Sequence, residues 1–84
     1  MTDVTVRFWA AAREAAGRVE EHYPAGSLAE VVAEASHRHG DRLSRILASA
    51  SFLVDDEPVG RRDHAGIQLA PGSVLEVLPP FAGG

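Results

Sequence analysis

The residues with the clearest chemical potential stand last, in Pro79-Pro80-Phe81-Ala82-Gly83-Gly84. Two prolines stiffen the start of this segment, and its six residues reach at most ~20 Å beyond whatever precedes them. Gly83 and Gly84 carry no side chains, so a terminal carboxylate here can enter a narrow channel without steric clash. A carboxylate on such a stalk is a substrate for another enzyme. The competing reading is an inert glycine-ended tail, which is common at chain termini.

Other chemistry is sparse. There are no cysteines, which removes disulfides, thiolate nucleophiles and Cys-ligated zinc or iron–sulfur sites. All eight basic residues are arginine, so Schiff-base catalysis and a Walker lysine are also excluded. His37 and His39 are two apart, a spacing that turns them to different sides of a helix, and no metal site is expected. His22 and His64 stand alone and read as surface or rim residues. Asp55-Asp56-Glu57 reads as an acidic solvated turn, and Arg61-Arg62 as a solvated loop or a weak electrostatic contact. Serine, histidine and aspartate occur, but none in a nucleophile-elbow motif, and no Gly-rich strand-to-helix loop awaits a phosphate.

Eighty-four residues make one small domain. With 45% apolar and 24% charged residues the chain has a globular balance. A net charge of −4 disfavours nucleic-acid binding. No apolar run approaches the roughly 18 residues of a membrane span, and the Met-Thr-Asp-Val start lacks secretory-signal character, so a cytoplasmic protein is expected.

The elements that must position the tail follow from periodicity. Val4, Val6 and Phe8 alternate with Thr5, Arg7 and Trp9 as a strand with one buried face. Ala10–Ala16 is a short helix closed by Gly17. Arg18–Tyr23 predicts a second strand, with Val19 and Tyr23 on one face, paired antiparallel to the first. Ser27 and Glu30 form a capping box, and Leu28, Val31, Val32 and Ala35 draw the stripe of an amphipathic helix that ends at Gly40. Leu43, Ile46 and Leu47 predict a short helix from Asp41 to about Ala48. Phe52-Leu53-Val54 is a buried strand, Asp55–Pro58 a turn, and Val59 the start of a brief returning strand. Arg61–Ala70 is an irregular crossing anchored by Ile67 and Leu69. Ser73–Leu78, apolar on both sides, is an interior strand parallel to the first and ends at Pro79-Pro80. The pattern is α+β: a ubiquitin-like β-grasp, one domain over residues 1–84, its mixed sheet covered by one main helix, with 79–84 as an extended tail.

These residues resemble a known family. Val4 to Gly17 is similar to the opening of the MoaD-type small subunit of molybdopterin synthase, in the MoaD/ThiS sulfur-carrier family. There a strand ending in Phe runs into Ala, an Arg-Glu pair and a closing Gly. Leu75–Gly84 resembles the family's end: an apolar strand, Pro-Pro, an apolar residue and Gly-Gly. The middle departs, with Asp55-Asp56-Glu57 in place of a Val-Asn turn and Pro71-Gly72-Ser73 in place of Asp-Gly-Asp. The resemblance implies a non-catalytic carrier with no stably bound cofactor. A partner adenylyltransferase, similar to ubiquitin-activating enzymes, would use ATP and magnesium to adenylate the Gly84 carboxylate. A sulfur donor would convert it to a thiocarboxylate, and the large catalytic subunit of the synthase would pass that sulfur to a pterin precursor. Gly83 and Ala82 would line the inserted tail. Phe81, Leu78 and Val74, on or beyond the sheet face away from the helix, are the expected partner contacts. The same tail also serves carriers for thiazole or cysteine synthesis and ubiquitin-like modifiers attached through Gly84. Thiazole-type carriers tend to be shorter and lack the Ala-x-x-Arg-Glu segment.

Overall fold

A computed structural model describes residues 3–80. In chain order the elements are β1 (Asp3–Phe8), α1 (Ala10–Ala16), β2 (Glu20–Pro24), β3 (Gly26–Ser27), α2 (Leu28–His39), α3 (Asp41–Ser49), β4 (Ser51–Val54), β5 (Glu57–Pro58), a 3-10 turn (His64–Gly66), β6 (Gln68–Leu69) and β7 (Val74–Leu78). The main sheet runs β2-β1-β7-β4-β5. β7 lies between β1, to which it is parallel, and β4, to which it is antiparallel. This central strand is the one that delivers the tail.

Alternation fixes which side of the sheet is covered. Val4, Val6, Phe8, Tyr23, Phe52, Leu75 and Val77 point inward and are buried against Ala12, Leu28, Val31, Ala35, Leu43 and Leu47 from the helices. Each large side chain among them contributes roughly 1.5–3 kcal/mol by leaving water. The predicted stripe of α2 is present, with Val32 only half-buried. The capping box closes as expected: the Glu30 N–H donates to Ser27 Oγ at 3.1 Å, and the Ser27 N–H to Glu30 Oε1 at 2.8 Å. Gly40, at φ 84° and ψ −162°, makes the corner from α2 into α3. That backbone conformation is essentially restricted to glycine.

Four details correct the sequence reading. The second strand begins at Glu20 and not Arg18, so Val19 stays outside it and is 59% exposed while Tyr23 is buried. Val19 instead lies at the rim, lining a shallow groove with Phe8, Trp9 and Arg13. The returning strand after β4 is Glu57–Pro58, and Val59 lies just past it. The turn itself holds only Asp55 and Asp56, both left-handed at φ 48° and 72°, the geometry of a tight hairpin. Asp55 Oδ1 accepts the Val74 N–H at 2.9 Å, tying this turn to β7. The Arg61–Ala70 crossing is less irregular than expected, since β6 pairs with β3 in a small second ribbon. The helix from Asp41 runs one residue further, to Ser49.

Both edges of the main sheet carry an outward proline and a carbonyl bonded to an arginine. The Phe8 N–H donates to the Val19 carbonyl at 2.9 Å, which sets the ladder so that His22 and Pro24 turn their backbones away from β1. Pro24 has no N–H to offer, and the His22 carbonyl accepts Arg38 Nη1 at 3.1 Å. Arg38 lies over the Tyr23 ring, 3.9 Å from its centroid, and pairs with Glu34 at 3.0 Å. On the far edge Pro58 turns outward, and its carbonyl accepts Arg62 Nη2 at 2.9 Å.

Candidate functional site

The tail leaves the sheet at the C-terminal end of β7. There β1 ends in Phe8 and bends through Trp9 and Ala10 into α1. The Trp9 N–H donates to the Val77 carbonyl at 3.2 Å, so this bend is stitched to the strand that carries the tail. Ala10 sits at φ 49°, a left-handed conformation unfavourable for alanine. Trp9 remains 43% exposed, and its Nε1–H donates across the outer face of the sheet to Glu76 Oε1 at 3.2 Å.

Pro79 and Pro80 emerge between two grooves. One, of about 490 Å³ and mostly apolar, is lined by Trp9, Ala10, Ser51 and Leu78. The other, of about 360 Å³, is lined by Arg42, Arg45, Ile46 and Ser49 of α3. Arg42 pairs with Glu14 at 3.6 Å, whereas Arg45 has no carboxylate within ion-pair distance among the described residues.

Of the residues expected to meet a partner, Leu78 and Val74 both lie on the sheet face away from the helices and are half-buried. They are not brought together. Leu78 pairs across from Ser51 at the tail exit, while Val74 stands at the start of β7 beside the Asp55 turn, about 13 Å away along the strand. Phe81, Ala82, Gly83 and Gly84 lie outside the described residues. Trp9, Arg42 and Arg45 were not singled out by sequence. A lone tryptophan where a strand passes into a helix was the available signal.

The histidines have structural surroundings. His39 Nε2 lies 2.7 Å from Glu21 Oε1, which also accepts the Tyr23 hydroxyl proton at 2.7 Å, and the His39 ring meets Phe8 edge-on. Partial burial acts to raise the Glu21 pKa, but the hydrogen bonds from His39 and Tyr23 and the charge of Arg38 outweigh it and hold the carboxyl below its ordinary value. Burial and the same carboxylate push the Tyr23 phenol up. His64 packs edge-on against Phe52, and His22 is exposed. Among the described residues no group of three or more His, Asp or Glu side chains is placed to hold a metal. No helix there is long and apolar enough to cross a membrane.

A five-stranded mixed sheet with its helices on one face and a tail leaving the central parallel strand defines a ubiquitin-like β-grasp protein. Solved structures agree. Small archaeal modifier protein 1 from Methanosarcina acetivorans superimposes with a TM-score of 0.85 at 20% identity, covering 100% of this chain and 98% of that one. The Haloferax volcanii small archaeal modifier protein 1 gives 0.78 at 19% identity, covering 98% and 99%. A complex of subunits 1 and 2 of molybdopterin-converting factor from Helicobacter pylori gives 0.67 at 24% identity, covering 98% and 99%. The model of the ThiS family matches residues 6–84, and the chain belongs to this family, the MoaD/ThiS sulfur carriers. No curated protein sequence matches it.

Proposed function

We propose that this chain is the sulfur-carrier small subunit of molybdopterin synthase, acting in the cytoplasm and carrying sulfur as a thiocarboxylate on Gly84. The observation that supports it best is the exit of the tail. The strand that leads to Pro79-Pro80 is the central one, held on both sides by β1 and β4, so a pull or push on the segment beyond it meets a rigid base. In the first step the Gly84 carboxylate oxygen attacks the α-phosphate of ATP in an adenylyltransferase, magnesium assisting, and pyrophosphate leaves. A sulfide-level donor then attacks the acyl carbon, AMP leaves, and a C–S bond replaces a C–O bond to give the thiocarboxylate. The thiocarboxylate, inserted in the large catalytic subunit, gives its sulfur to a carbon of a pterin precursor while water takes the acyl carbon and restores the Gly84 carboxylate. Two such carriers supply the two sulfurs of a dithiolene. The chain supplies no acid, base or nucleophile of its own. Lacking cysteine, it holds sulfur only on the terminal acyl group.

The test is intact-mass analysis after incubation with the host's adenylyltransferase, ATP and a sulfur donor. An exchange of one oxygen for sulfur, localised to Gly84 by fragmentation, is the expected result. Sulfur elsewhere, or none, refutes the reading. The small archaeal modifiers among the similar structures favour a second reading, attachment of Gly84 to lysines of other proteins. A ladder of conjugates in place of a thiocarboxylate would establish it.

A further inference from the structure

We infer that the arginine shelf of α3 beside the tail exit docks this chain on an acidic rim around the channel of the enzyme that accepts Gly84. The inference rests on the carrier reading above and adds the chemistry of the partner's surface to it.

Reach makes contact at this site unavoidable. Only four residues separate Pro80 from the Gly84 carboxylate, a span of at most ~13–14 Å even when fully extended. An enzyme that closes its active site around that carboxylate therefore brings its own surface against whatever surrounds Pro80. Those surroundings are the Trp9–Leu78 groove on one side and Arg42 and Arg45 on the other.

The charge of the shelf is set against the charge of the whole chain. The chain carries −4, and Asp3, Asp55, Asp56 and Glu57 gather at the opposite end of the sheet, where β1 begins and the β4–β5 turn lies. At the exit end, Arg42 is shared only with exposed Glu14 at 3.6 Å, and Arg45 has no ion-pair partner among the described residues. Glu76 also stands near the exit, bonded to Trp9, so the positive pole lies on the α3 side of the tail, against an acidic far end of the strands. Such a dipole orients an approaching chain tail-first toward a negative surface and lifts the rate of productive encounter. The apolar groove beside it, with Trp9 43% exposed, supplies the desolvated centre that a charged rim needs around it.

The experiment is ATP–pyrophosphate exchange by the host's adenylyltransferase as a function of carrier concentration, at low and high salt. The variants are Arg45→Glu, Arg42→Glu, their double, Arg45→Lys, and Gln68→Glu in β6 as a control at the opposite end of the sheet. Circular dichroism confirms that each is folded. Charge reversal at the shelf raises KM by roughly five- to twentyfold per exposed contact while kcat holds. Arg45→Lys behaves as the parent, Gln68→Glu is neutral, and added salt narrows the differences. An unchanged KM in the double variant, or a fall in kcat alone, overturns the docking assignment and leaves the carrier reading standing. A parent chain that supports no exchange overturns both.

Discussion

Replacing Glu21 by glutamine removes one charge and almost no volume from the joint between α2 and the edge strand. Its Oε1 accepts from Tyr23 and contacts His39, each at 2.7 Å, and only about a tenth of the Glu21 and His39 side chains is exposed. Hydrogen bonds to a charged group contribute about 1.5–3 kcal/mol and neutral ones about 0.5–1.5, so two weakened bonds cost about 2 kcal/mol. In a domain of this length that lowers Tm by roughly 8–16 °C. The pH dependence has a definite sign. The Glu21 carboxyl is held below its ordinary 4.5 in the fold, so its contribution is fully present above that value and is lost as pH falls through the depressed one. Melting followed by far-UV circular dichroism should show a wide gap between parent and Glu21→Gln at pH 7, closing below pH 4.5. A gap under about 2 °C at pH 7, or one that persists unchanged at strongly acid pH, would refute the reasoning.

Adding one residue after Gly84, deleting Gly84, or making Gly83→Val should leave Tm unchanged but cut adenylation or sulfur transfer at least about a hundredfold, since each moves or crowds the reacting carbonyl by more than 1 Å. A verified extended chain that forms product at the parent rate would contradict this. Leu43→Ala empties a fully buried position between α3 and the sheet and should cost about 2–5 kcal/mol in urea unfolding. Asp56→Gly relieves a left-handed aspartate at the second position of the β4–β5 turn. It should stabilise by up to about 1 kcal/mol, read as a higher urea midpoint.

What the sequence disclosed and what it hid divides by distance along the chain. The Ser27–Glu30 box is a contact over three residues, and it formed as read. The interior place of β7 was legible because Val74, Leu75, Val77 and Leu78 leave no wholly polar face. The β3–β6 ribbon was not, because two-residue strands have no period to detect and this one joins Gly26 to Leu69. His39 was weighed with His37 as a metal pair, whereas its partner is Glu21, eighteen residues away on another element. The site divides likewise. The Gly-Gly tail can be read in order, but its collar joins Trp9 to Glu76 across sixty-seven positions and sets α3 arginines beside Pro80. Only the topology puts them side by side.

The two arginine-capped edges bear on what happens when many copies share one solution. An open sheet grows by templating: an exposed carbonyl row on one molecule recruits the amide row of the next. Here Glu20, His22 and Pro24 turn their backbones outward on β2, where the His22 carbonyl is already bonded to Arg38 and Pro24 has no N–H, and on β5 the outward residue is a proline whose carbonyl is already bonded to Arg62. Each border thus offers an incoming strand a shortened run of pairing groups. Crowding therefore meets two margins that the chain itself has already partly occupied.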